Sequence, residues 1–213
     1  WLRQLSAERI AQELRRLVVA KGAGPTLELM SEAGLTEIVF DGIAWPQRLA
    51  RLARMEETRG LAPSPALRLA AAAAATVEEA DRIAERLKLS KAEAKEMHAA
   101  VGAAWSFPVQ PEAAARRLLY TLGREAFRTG CLLAFAAGRD APDDPPWPAL
   151  LDLAGTAEIP VFPVDGKSLV KRGLAPGPEL GAELARLEAI WIESDFALDR
   201  DALLALSDGA DPA

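Results

Sequence analysis

Asp199-Arg200-Asp201 is the one D-x-D in this chain, the spacing of a metal site. On a strand, a D-x-D can hold two Mg²⁺ ions for phosphoryl or nucleotidyl transfer. Here the triplet precedes "ALLALS" and no glycine-rich strand leads into it. Asp199 is placed to cap a helix, and Asp201 to sit in its first turn near the positive end of the dipole. Asp143-Asp144, inside a proline-rich stretch, reads as turn chemistry. The chain has one histidine, His98, and one cysteine, Cys131. His98 lies mid-helix in "KAEAKEMHAAVG" and reads as solvated or at the core edge. Cys131, in "TGCLLAFAAG", reads as a small buried hydrophobe. One residue of each kind supports no zinc cluster and no Cys-His pair. Neither G-x-x-x-x-G-K-[ST] nor G-x-G-x-x-G occurs, so no standard phosphate loop is present. On residues alone the chain is a helical binding or scaffold piece with no catalytic or metal residue of its own.

Recognition chemistry is better supplied. In "FPVDGKSLVKRGLAPGPELGAELARLEAIWI", residues 162–192, three cations (Lys167, Lys171 and Arg172) sit among Gly166, Gly173, Gly177 and Gly181. Gly173 is placed to end a short helix in left-handed backbone. Pro176-Gly177-Pro178 resets the chain direction, with Pro178 in the first turn of the next helix. Leu180, Leu184, Leu187 and Trp191 repeat at 4, 3 and 4, which predicts a buried face. Gly181 costs about 1 kcal/mol of helix propensity against alanine. A close neighbour would explain it, either another helix or a nucleic-acid backbone. A helix start with free N–H groups beside three cations could hold an RNA phosphate. Glu179, at the same positive end, weighs against this. A phosphate contact and an internally packed helix–turn–helix corner therefore stand side by side. Two further arginine sets, Arg48, Arg51, Arg54 and Arg59, then Arg116, Arg117, Arg124 and Arg128, are either ion-paired faces or a phosphate track. In the second case each contact would steepen the salt dependence of binding.

The elements that must position these residues are nearly all helical. Ser6 precedes "AERIAQELRRLVVA"; Glu8 suits its first turn, and Arg9 and Glu13 stand four apart on one face. Thr76 with Glu79, and Ser90 with Glu93, open two more helices with capping boxes. Ser64-Pro65 starts "PALRLAAAAA". A helical pair flanks Gly123, and "PWPALLDLAG" adds one more helix after the proline loop 140–148, itself a candidate boundary. "EIPVFPV" carries β-branched residues, but its two prolines exclude a central strand. The expectation is an all-α protein of roughly ten short helices.

At 213 residues and 50% hydrophobic, the chain can bury a core. No apolar run is long enough to span a membrane. The net charge of −6 is uneven. Residues 173–213 carry two Lys/Arg against nine Asp/Glu, while the first 172 residues are close to neutral. The overall acidity therefore does not exclude a polyanionic partner for the first 172. A single cysteine excludes an internal disulfide and fits a reducing cytoplasm. The opening on Trp1 rather than Met reads as a piece of a longer protein.

Three stretches together resemble the bacterial class II tRNA nucleotidyltransferases (CCA-adding enzymes) and the related poly(A) polymerases. "LSAERIAQELRRLV", 5–18, is similar to an S-x-E-R-I-x-x-E-L segment that closes the neck after the catalytic head. "RLKLSKAEAKEM", 86–97, is similar to a helix start in the body. "PVDGKSLVKRGLAPGPELGAELARLEAIWIESDF" resembles the tail signature G-x-x-L-x-x-x-G-x-x-P-G-P-x-x-G followed by a long helix. The resemblance implies neck end and start of body in 1–60, helical body in 61–140, and tail with acidic C-terminus in 141–213. The α/β head, with its glycine-rich turn and metal-binding D-x-D, and the neck's E-D-x-x-R would lie before Trp1. The full protein would then add C, C and A to tRNA 3′ ends using Mg²⁺, CTP and ATP. This chain, inactive alone, would hold the acceptor arm and elbow by shape. Ser6, Glu8, Arg9 and Glu13 would brace the neck. A poly(A) polymerase, or a helical protein–protein module with no RNA role, are the rival readings.

Overall fold

The computed structural model describes residues 6–207. Among them there are thirteen α-helices and no strand. They are α1 (Ala7–Val19), α2 (Ala23–Glu32), α3 (Leu35–Phe40), α4 (Pro46–Arg59), α5 (Pro65–Ala73), α6 (Val77–Arg86), α7 (Lys91–Ala104), α8 (Glu112–Leu122), α9 (Arg124–Ala137), α10 (Trp147–Thr156), α11 (Gly166–Val170), α12 (Pro178–Glu193) and α13 (Arg200–Ala205). The caps read from sequence are in place. Ser6, Ser64, Thr76, Ser90 and Asp199 each accept a backbone N–H at the start of their helix, and both capping boxes close. The helices beyond the expected ten include α2 and α3. Each begins at a left-handed glycine, Gly22 (φ +84°) and Gly34 (φ +66°), with no side-chain cap. Sequence cap signals cannot find such starts, because a glycine reads first as a breaker.

The chain divides into two compact units, residues 1–110 with 122–157, and residues 111–121 with 158–213. In the first, α9 is apolar almost all round: Phe127, Cys131, Leu132, Leu133 and Phe135 are buried. A helix of that kind belongs in a core, and α9 packs against α4, α5, α7 and α10. Gly130 lets α7 come close; a Cβ there would stand 2.6 Å from the Ala103 Cβ. Burial pushes the Cys131 thiol up to about 12, so it is not a nucleophile at neutral pH.

Helix α5 is buried from Ala66 to Ala73, Arg68 included. Its guanidinium is held by Glu56 on α4, with Nε donating to Oε2 at 2.8 Å, and by the Val18 carbonyl at the end of α1, 2.8 Å away. Three helices meet on that one cation. The proline loop 140–148 lies within this unit and is a folded turn. Trp147 Nε1 donates to Asp140 Oδ2 at 2.8 Å, and Asp144 Oδ2 accepts the Ala141 N–H at 2.6 Å.

The second unit is built on Val164, Leu169, Leu187, Trp191 and Leu203. Trp191 meets Tyr120, Phe162 and Phe196 at ring-centroid distances of 5.5, 5.4 and 4.9 Å. These are tilted or edge-to-face contacts, which aromatic quadrupoles favour. The face read from Leu180, Leu184, Leu187 and Trp191 does turn inward, with Leu187 and Trp191 fully buried and the two outer leucines half-buried. Tyr120 donates its hydroxyl to Glu188. The last six residues of the acidic tail, and Trp1 and Leu5 of the sequence reading, lie outside the described residues.

Candidate nucleic-acid interface

The glycine-rich corner takes its shape from backbone chemistry. Asp165 caps α11, accepting the Ser168 N–H at 2.9 Å. Hydrogen bonds from Ser168 hold its carboxyl below the usual range, with smaller help from Arg200 and Lys167. At the other end the Leu174 N–H reaches the Leu169 carbonyl (3.2 Å) and the Gly173 N–H reaches Val170 (3.0 Å). That pair of bonds is a Schellman motif, and Gly173, at φ +99°, supplies its left-handed residue. The chain then turns through Pro176 and Gly177, and Pro178 starts α12.

Gly166 packs under Leu180 and Leu184 at ordinary contact distance; a Cβ would lie 3.5 and 3.8 Å from them and would fit. Gly181 is different. It is exposed, and nothing lies within 4 Å of where its Cβ would be. Among the described residues no helix explains it.

Lys167, Lys171 and Arg172 are all exposed. None of their side chains makes a hydrogen bond or ion pair among the described residues. Lys167 has only a weak electrostatic link to Asp165. The corner thus presents three solvated cations, the open backbone of Gly181 and the N-terminus of α12 in one short stretch. Glu179 lies in the same first turn and is likewise exposed.

The other cations are engaged differently. Arg124 donates to the Ala154 carbonyl and, at 2.7 Å, to that of Ala157, closing the C-terminus of α10. Arg128 pairs with Glu125 (2.7 Å) and Arg116 with Glu112 (3.2 Å). Arg117 makes one long bond to the Glu193 carbonyl, 3.5 Å. Arg48 donates to the Ala74 carbonyl and lies over Trp45; Arg51 donates to the Phe135 and Asp140 carbonyls and lies over Phe135. Arg59 pairs with Asp152. Arg54 alone of that set stays exposed without a hydrogen bond or ion pair. A phosphate track along these sets would have to break several of these bonds.

The first sequence motif is tied to the second. Lys88 donates to Glu8 at 2.6 Å, and Arg15 clamps Glu93 through both carboxylate oxygens at 2.6 and 2.9 Å. The Arg15 bonds hold the Glu93 carboxyl down to about 2, against its burial. Glu8 is held at about 2 by the Lys88 bond first and the helix start next. Arg15 has no signal in the sequence: a helical arginine carries no mark of its partner 78 residues away. Arg9 and Glu13 do share a face. With Ile10, Leu14 and Leu17 of α1, Met30 and Val39, they line a cleft of about 320 Å³.

Residues 1–45 match the family described as "Probable RNA and SrmB- binding site of polymerase A". The match relates this stretch, which includes α1–α3 and ends on Trp45, to the poly(A) polymerase family. No curated protein matches the chain. Among the described residues no group of three or more His, Cys, Asp or Glu could hold a metal ion. Asp199 is the cap of α13, accepting the Ala202 N–H at 2.8 Å. His98 is exposed and bonded to Asp81 at 2.9 Å. No described helix is long and apolar enough to cross a membrane.

Proposed function

We propose that this chain is the RNA-holding part of a tRNA nucleotidyltransferase that adds CCA to tRNA 3′ ends. Its helical body and tail hold the acceptor arm and elbow, while a head outside this chain, with Mg²⁺, CTP and ATP, performs nucleotidyl transfer. The observation that carries this reading is the corner 166–181. Its cations are exposed and without side-chain partners, and its one unexplained glycine leaves backbone open where a phosphate could approach. Duplex RNA is read mostly by shape and by backbone contacts, which suits a rigid helical arm. The match of residues 1–45 supports RNA as the partner. The polymerase named in that match favours a second reading, in which the substrate is a general RNA 3′ end and the whole protein is a poly(A) polymerase.

The test is a binding titration of the 213-residue chain with tRNA lacking its CCA end, against an unstructured RNA of equal length, at two salt concentrations. tRNA is expected to bind more tightly, with affinity falling steeply with salt. Lys171→Glu with Arg172→Glu should lower tRNA affinity at least tenfold and flatten the salt slope by about 0.7–0.9 for each phosphate no longer neutralised. Equal binding to both RNAs would favour the poly(A) reading. Wild-type affinity in the double variant would remove the corner from the interface.

A further inference from the structure

The geometry points to a slot on the first unit that takes one unpaired nucleobase of a single-stranded RNA, with Trp105 as its stacking face. The slot is a half-open cleft of about 240 Å³ at the end of α7. That is a little below the usual range of small-molecule sites, a size for a single ring system rather than a whole nucleotide. Trp105 is 77% exposed, the most exposed tryptophan in the described structure, and lies on this cleft. A tryptophan left in solvent at a cleft has ring surface to offer a ligand, and base–aromatic stacking is the sequence-tolerant way of holding single strands. Half of the lining is alanine, Ala134 and Ala137 of α9 among them, and Val101, Phe107 and Leu133 complete an apolar floor for a flat ring.

The cleft also holds a cation. Arg48 lines it, stacked over Trp45 at 5.0 Å, with one bond to the Ala74 carbonyl and no ion pair. Its Nε–H is buried with no acceptor. An apolar slot with a guanidinium that has no ion pair, only the more distant charge of Glu79, suits a ring that carries acceptor atoms and a neighbouring phosphate. It suits a hydrocarbon side chain of a partner protein less well. Trp45, beneath that guanidinium, is also the last residue of the stretch that matches an RNA-binding family. The inference rests on the reading of the chain as RNA-binding, but it concerns a different place and a different part of the nucleotide from the cationic corner.

The experiment compares the full chain's affinity for a six-nucleotide oligoadenylate with that for the same backbone lacking bases. Adenine is the probe because a purine offers the larger stacking face. The oligoadenylate is expected to bind about tenfold more tightly, the lower part of the range for one stacked base. Trp105→Ala should erase that difference without changing the abasic affinity, and Trp105→Phe should keep most of it. Ala137→Leu fills the slot from an exposed position and should also erase it, with an unfolding midpoint equal to that of the parent. A base-dependent difference that survives Trp105→Ala and Ala137→Leu overturns the slot. So does the absence of any difference in a parent chain that still binds tRNA, which leaves the RNA-holding reading intact. If neither tRNA nor oligonucleotide binds, both readings fall together.

Discussion

In the first unit, Arg48, Arg51, Arg68 and Arg86 all donate to backbone carbonyls, and Arg15, Arg59 and Arg68 hold carboxylates on other helices. In the second unit, Lys167, Lys171 and Arg172 have neither kind of acceptor. The difference is one of geometry as much as of position. A short helix ends in carbonyls that need donors, and a planar guanidinium with five N–H groups closes two of them at once. Arg86 does this for α3, bonding the Ile38 and Val39 carbonyls. At the corner the same need is met by the backbone itself, through the Schellman bonds around Gly173. Its cations are left for solvent or a ligand. A count of arginines along the sequence therefore does not locate an interface; the fate of the nearby helix ends does.

The comparison breaks most sharply at Arg68. If the cations of the first unit hold the fold, replacing this one with methionine leaves Glu56 buried without its partner, and stability should drop by about 3–5 kcal/mol at pH 7. Burial already pushes the Glu56 carboxyl above its usual range, outweighing the Arg68 bond that lowers it. Without Arg68 the folded-state value rises further. A carboxyl raised in the folded state favours folding most when protonated. The defect should therefore shrink as the pH falls from 7 towards 4.5, and urea melts at the two ends would show it. Adding Glu56→Gln should recover part of the loss at pH 7. By contrast Lys171→Glu with Arg172→Glu should move stability by no more than about 0.5 kcal/mol. A large drop there would mean that the corner is structural after all.

A smaller effect is expected at Glu93. Gln can keep the capping box with Ser90 but cannot keep the charge that Arg15 clamps. Glu93→Gln should cost about 1–2 kcal/mol at pH 7, the two side chains being partly solvated. Here the folded-state carboxyl lies at about 2 against an ordinary 4.5. Its contribution is present above 4.5 and is lost as pH falls towards 2. Parent and variant melts should thus converge on acidification, here because the parent loses stability rather than because the variant regains it. Melts that stay parallel would show that Arg15 contributes packing rather than charge.

What could be read in advance follows the same division. Caps, apolar periodicity and glycine or proline stops are local. Ser6, Ser90, Asp199, Gly173 and Pro178 were legible for that reason, and with them the all-helical class. Pairings such as Arg15 with Glu93, or Arg124 with the end of α10, join residues far apart in the chain or across a turn, and nothing in their immediate neighbours announces them. The arginine sets read as possible phosphate contacts are, for the most part, such cases. Trp105 shows a third kind of limit. Five tryptophans look alike in sequence, and only packing separates Trp147 and Trp191, both 3% exposed, from Trp105, left in water.

The smallest change is also the most discriminating. Gly181 stands in the first turns of α12, exposed, with no atom near its Cβ position. Nothing in the described fold requires glycine there, so Gly181→Ala should raise stability by about 0.5–1 kcal/mol through helix propensity alone. A nucleic-acid backbone lying against that turn would meet the new methyl group, and tRNA affinity would fall even as the melting midpoint rose. The two readouts move in opposite directions only if the glycine is kept for a ligand. Higher stability with unchanged affinity would leave the three cations as a solvated cluster beside an ordinary helix start. Lower stability would make Gly181 a packing glycine like Gly130, and its reading as a ligand contact would fail.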